Sequence, residues 1–247
     1  MDDFDRVITE ELDRWQQAGK VARFWLRDDD AVEPSAPLER LLEITGAFSV
    51  PLTLAVIPVH TGEALAQWLE REPSCTVAVH GWSHVNYAGA DEKKQELGRH
   101  RPASDVLGEL QRGFSHLAGL HPNRFVPVLV PPWNRIDAGL VPCLAGLGFE
   151  ALSVYGLEKP SALPVVNTHV DVMDWHGTRG GRDRMALAGE IVARLRHMFD
   201  HGGSLGLLTH HLVHDDVVWD FMNALFDVTA RHPACRWCRV RDILRDQ

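Results

Sequence analysis

The sequence predicts a TIM-like α/β barrel, built as a single domain from parallel strands and the helices that connect them. Three observations carry this. Short runs rich in valine, leucine and isoleucine alternate with segments of helical apolar spacing about seven times along the 247 residues. Polar residues able to do chemistry stand directly after several of these runs, as they would at the C-terminal rim of a closed ring of strands. No repeat, low-complexity tract or linker divides the chain, and its length is common for one α/β barrel.

Residues 1–20 read as an acidic amphipathic helix, with Phe4, Ile8, Leu12 and Trp15 on one face and Gly19 as its stop. Val21–Arg27 is the first strand, and Asp28-Asp29-Asp30 follows it. Ser35 and Pro37 open a helix carrying Leu38, Leu41 and Leu42 that ends near Gly46. Pro51–Ile57 is the second strand, Thr61 caps a helix with Leu65, Trp68 and Leu69, and the strand Cys75–Val79 delivers His80-Gly81-Trp82-Ser83-His84. Residues 85–103 then break the rhythm. This polar, glycine-containing stretch is either a substrate-contacting loop or lid, or a solvated charged excursion.

A helix from about 104 to 118 leads into the strand Arg124–Val130 and the turn Pro131-Pro132-Trp133-Asn134. Asp137 caps a further helix that Gly148 closes, and Phe149–Tyr155 and Leu163–Val170 read as strands. Asp171-Val172-Met173-Asp174-Trp175-His176 and a glycine-rich stretch precede a helix at about 183–199. Ser204–Leu208 is the last clear strand and ends in Thr209-His210-His211; a helix at about 216–230 and a tail at 237–244 complete the chain.

A hydrophobic fraction of 45% against 24% charged residues supports a sizeable core and argues against disorder. The formal net charge of −9 argues against a phosphate-neutralising surface, so neither nucleic acid nor an anionic membrane is an expected partner. No secretory signal or membrane-length apolar stretch is visible, which makes the expected location cytoplasmic. Cys235 and Cys238 form a C-x-x-C without a second pair, and read as structural or incidental.

The chemistry gathers at His80, His84 and the acidic run. Two histidines four apart, with a carboxylate at another strand end, form a set that binds a divalent metal and leaves coordination positions open. Taken alone, each has an ordinary alternative, a histidine hydrogen-bonded in the core or a carboxylate capping a turn.

The order of these motifs resembles the polysaccharide deacetylases, the NodB homology domain of carbohydrate esterase family 4: acids after strand one, H-x-x-x-H after strand three, Pro-Pro-Trp, D-x-x-D-W and L-T-H, from residue 21 to about 215. The resemblance implies a distorted (β/α)7 barrel and a divalent metal, usually zinc. It makes Asp29 the catalytic base and Asp30, His80 and His84 the metal ligands, although the triple acid also permits the Asp28/Asp29 register. It assigns the oxyanion N–H to Trp133, the tuning of the catalytic histidine to Asp174, and the general acid to His210.

The implied reaction is hydrolysis of an N-acetyl group on a sugar; a small non-sugar amide or imide, or carbohydrate binding without turnover, are the alternatives. Arg27, Trp82, Pro132, Asn134, Arg135 and His211 are candidate substrate contacts, and Asn86, His169 and His214 are further polar groups near the motifs. Val130 stands where the family usually carries an arginine that holds the base, a role left to Arg27 or Arg135. Trp133-Asn134 replaces the usual Tyr-Gly.

Overall fold

The computed structural model describes residues 2–245. Its strands are β1 (Ala22–Ala31), β2 (Leu52–Val56), β3 (Cys75–His80), β4 (Phe125–Val130), β5 (Ala151–Leu152), β6 (Val170–Asp171), β7 (Leu205–Thr209) and β8 (Cys235–Trp237). They form one sheet in the order β5-β4-β3-β2-β1-β7-β6, with β8 paired to β1. The pairings of β1 with β7 and β8, of β3 with β4, of β4 with β5 and of β6 with β7 are all parallel. The helices are α1 (Asp3–Gln17), α2 (Ala36–Ala47), α3 (Glu63–Leu69), α4 (Ala103–Leu120), α5 (Arg184–His201), α6 (Asp216–Thr229) and α7 (Val240–Arg245).

By compactness the chain divides into two units, one reaching from the N-terminal helix to Asp28 with Ser35–Leu52 and Thr168–Ile243, the other built on Asp29–Pro34 and Thr53–Asn167. In the first, α1 packs on α5 and α6. Phe4 meets Phe221 edge-on at 5.8 Å and Trp15 meets Phe199 at 5.4 Å. Its helices start where the sequence offers a carboxylate or hydroxyl: Asp2, Ser35, Asp183 and Asp215 each accept a backbone N–H of the first turn. In the second, α4 lies against β3 and β4, and Gly113 lets it approach Pro58 closely. No helix among the described residues is long and apolar enough to cross a membrane.

Several expected elements are shorter or absent. Thr61 does not cap α3; Gly62 holds that position, and the Thr61 carbonyl instead accepts His116 Nε2 at 3.1 Å. The helix expected after Asp137 is reduced to two single 3-10 turns, Val141–Cys143 and Ala145–Leu147, since Pro142 lacks a backbone donor and Gly146 and Gly148 disfavour continuation. Asp137 bonds Gly139 N–H and Arg99 instead. Of Phe149–Tyr155 and Leu163–Val170, only β5 and the first residue of β6 form strands, while an isolated parallel bridge between Leu152 and Val165 and the side chains of Ser153 and Asn167 tie the two stretches together.

Cys238 is buried, and its thiol donates to the Arg236 carbonyl. Burial, with Cys238 nearby, pushes the Cys235 thiol up, which disfavours its thiolate.

Candidate active site

β3 ends at His80, and the chain turns immediately through Gly81 (φ +58°) and His84 (φ +57°). β1 supplies Asp29 and Asp30, the latter also at positive φ, +72°. Asp30 Oδ1 lies 3.1 Å from His80 Nε2 and 3.3 Å from His84 Nε2. One ligand atom from each of these residues lies within 4.8 Å of the others. Donors around a tetrahedral zinc are separated by about 3.3 Å, given bonds of about 2.0–2.1 Å, so the set fits such an ion.

The orientation of His80 strengthens that fit. Its Nδ1 faces the Val130 carbonyl at 2.9 Å and donates to it, which leaves Nε2 as the ring atom turned toward Asp30. Burial lowers the affinity of His80 for a proton, but the Asp30 bond and the charges of Asp29 and Asp30 outweigh it, so the pKa is raised. Burial and the neighbouring His80 lower that of His84. Asp29 is 3% exposed and carries the charge felt by both rings.

Trp133 closes one side, its ring centroid 4.4 Å from that of His84. It occupies φ +53°, a costly conformation for a bulky residue, and the amides of Asn134 and Arg135 hold the turn on the carbonyls of Pro131 and Pro132. Pro132 packs against Gly81. Trp82 is half-buried with the Arg112 guanidinium 5.3 Å from its ring. The Arg135 guanidinium donates to the Lys94 carbonyl at 3.0 Å, and Arg27 is wholly buried.

Asp28 does not join the histidines His80 and His84. Its fully buried carboxylate accepts Thr209 Oγ1 at 2.7 Å, His211 N–H at 2.9 Å and the His211 imidazole. Burial pushes this carboxyl up, yet His211 and then Thr209 outweigh it and hold it below the usual carboxylate range. His211, expected to contact substrate, is therefore engaged in the interior, because the buried Asp28 needs a charge-stabilising partner. The other polar groups near the motifs also have partners within the chain. Asn86 organises its own loop, His169 pairs with Gly206, and His214 accepts the His210 N–H at 3.1 Å.

The structure does not join Asp174 to His210. The Asp174 carboxylate accepts the N–H groups of Gly177 and Thr178, both at 2.9 Å, because the glycine-rich stretch folds back as a tight turn around it. His210 instead meets Trp175 edge-on at 4.7 Å, and the Trp175 indole N–H donates to Asp171 at 2.8 Å. Asp171 and Trp175 belong to the D-x-x-D-W motif but carry no role in the sequence reading, since the spacing of two aspartates in one motif does not say which of them acts near the histidine.

The 85–103 stretch is fastened rather than free. Tyr87 N–H bonds Gln95 O at 3.0 Å, Asp137 N–H bonds Leu97 O at 2.8 Å, and Glu96 and Leu97 are each 1% exposed. Glu96 was also missed, since it lies in a charged run that reads as solvated.

The fold is that of the polysaccharide deacetylases of carbohydrate esterase family 4, a distorted (β/α)7 barrel. A protein from Mycobacterium smegmatis assigned as a polysaccharide deacetylase is similar with a TM-score of 0.66 at 18% identity, over 92% of this chain and 90% of that one. The peptidoglycan N-acetylglucosamine deacetylase Bc1960 gives 0.60 at 13% identity, over 91% and 89%. A mutant of the family-4 pseudoenzyme BA3943, described as having restored activity, gives 0.60 at 14%, over 91% and 68%. No protein-family model and no curated protein matches the sequence.

Proposed function

We propose that the protein is a metal-dependent hydrolase that removes the acetyl group from an N-acetylated sugar. The observation that carries this is the convergence of Asp30 Oδ1, His80 Nε2 and His84 Nε2, with His80 oriented from behind by the Val130 carbonyl. The fold shared with carbohydrate deacetylases supports the substrate class.

In this reading Asp30, His80 and His84 hold a divalent ion, which we take to be zinc. When bound it polarises the acetyl carbonyl and makes water acidic enough to be deprotonated near neutral pH. Asp29 takes that proton as the water oxygen adds to the carbonyl carbon. The Trp133 N–H donates to the developing oxyanion. His210 protonates the sugar nitrogen as the C–N bond breaks, giving acetate and a free amine, and Trp175 against its ring limits the orientation of the imidazole.

The test is the metal content of wild-type protein beside His80→Ala and Asp30→Ala, together with acetate release from N-acetylglucosamine oligomers. About one equivalent of metal in the wild type, lost in both variants along with acetate release, is the expected result. A wild-type protein that takes up no metal from a zinc-containing buffer would sink the hydrolytic reading. The second reading, sugar binding without turnover, has one observation in its favour: Val130, where the family usually has an arginine, is aliphatic and fully buried.

A further inference from the structure

We infer that Glu96 is a positioning residue for the candidate metal centre, its buried carboxylate setting the backbone from which His84 projects; this rests on the metal-site reading above. Glu96 Oε1 accepts the Ser83 N–H at 2.7 Å and the Ser83 hydroxyl at 3.0 Å. Its Oε2 accepts the His84 N–H at 3.3 Å and the Trp82 N–H at 3.4 Å. Three consecutive amides therefore turn inward around one carboxylate, the arrangement by which backbone nests capture anions. Here the anion is supplied by the same chain, twelve residues beyond His84.

The turn needs such a clamp. His84 sits at φ +57°, a conformation that a histidine does not favour and that nothing in its own chemistry enforces. Glu96 supplies the constraint through the amide of His84 itself and the two amides before it. The glycine at position 81 follows from the same packing: a Cβ there would stand 2.3 Å from Glu96 Oε2 and 2.6 Å from Pro132 Cγ. Glu96 in turn is delivered on a fixed segment. Gln95 N–H bonds Asn86 Oδ1 at 2.9 Å on one side, and Leu97 bridges to Ile136 on the other.

The consequence is a ligand already in place. His84 Nε2 is 3.3 Å from Asp30 Oδ1, so a metal need not order the loop in order to bind. Partners that orient ligands in this way typically change metal affinity by about 10–100-fold when removed.

The experiment compares metal-free wild type, Glu96→Gln and His84→Ala by zinc titration against a competing chelator, and by hydrogen exchange at the amides of residues 82–84. In Glu96→Gln one of the two acceptor oxygens is replaced by an NH2 group that faces backbone N–H donors, and the charge is lost. We expect about 10–100-fold weaker zinc binding, at least tenfold faster exchange at these amides, and a kcat for acetate release that recovers at saturating zinc. If Glu96→Gln does not fold, Ser83→Ala removes one donor to Glu96 and should weaken zinc binding about threefold. Wild-type zinc affinity and wild-type exchange in these variants, with binding lost in His84→Ala, overturn the role of Glu96 and leave the metal site standing. A wild type that binds zinc no better than His84→Ala overturns the metal reading and this inference with it.

Discussion

The Nδ1 of His80 lies 2.9 Å from the carbonyl oxygen of Val130, so a residue whose side chain is aliphatic acts on the candidate site through its backbone. Val130→Ala keeps that carbonyl. It should cost about 1–3 kcal/mol of stability by leaving a cavity in a fully buried position, yet leave zinc affinity within about twofold. Urea unfolding and chelator competition measure the two effects separately. A large loss of affinity without loss of stability would show that the side chain, and not the carbonyl, orients His80.

Adjacent acids on β1 should behave in opposite ways. Asp28→Ala strands the buried His211 imidazole and Thr209 hydroxyl, and we expect about 3–5 kcal/mol of destabilisation. Asp29→Asn should leave the unfolding midpoint nearly unchanged while lowering kcat by about 10²-fold or more, the contribution expected of a general base. Denaturant unfolding beside steady-state kinetics separates them, and an Asp28→Ala protein as stable as wild type would contradict the paired arrangement.

Asp174→Asn should have little effect on catalysis. Its carboxylate serves the turn at Gly177 and Thr178 and does not touch His210, so kcat/KM should stay within about threefold and the pH profile should not move. Asp171→Asn, which alters the acceptor of the Trp175 indole, should have the larger effect. The reverse order would assign the tuning role to Asp174.

Stability should fall on mild acidification because of a buried and a half-buried histidine. Burial, aided by Arg124, lowers the His121 pKa to about 4, and burial lowers that of His214 to about 4 as well, with His211 and His210 acting in the same direction. Between these values and the unfolded pKa of about 6.5 the unfolded chain binds more protons than the folded one. Their contribution is thus fully present above about pH 6.5 and is lost as the pH falls toward 4, by at most about 3 kcal/mol for each group. His121→Leu should flatten this dependence in urea unfolding series at pH 7 and pH 4.5. An unchanged slope would mean that His121 is not held neutral.

Much of this was legible in the sequence where local chemistry and tertiary packing agree. α1, α2, α5 and α6 combine helical apolar spacing with a cap residue, β1, β3 and β7 are apolar runs ended by polar residues, and β4 is an apolar run stopped by Pro131-Pro132. Asp30, His80 and His84 could be read because they follow such runs directly. The stretch 163–170 misled because its apolar residues are interrupted by Pro164 and Asn167, and an isolated bridge from Val165 to Leu152 with side-chain bonds, rather than a continuous ladder, holds it. Glu96 looked like one more charge in a solvated run, since nothing local distinguishes an acid that fills a nest from one that faces water. Asp28, Asp29 and Asp30 could not be told apart by type; the positive φ of Asp30 and the partner strand of Asp28 decide their directions.

The pairing of β8 with β1 bears on how the protein is made. Cys235–Trp237 lie beside Ala22–Phe24, at the start of the strand that ends in the three acids. During synthesis the acidic strand waits for residues more than two hundred positions later before its pairing is complete. Until then the backbone groups at the start of that strand lack this partner, so the edge is exposed in the growing polypeptide and covered in the finished protein.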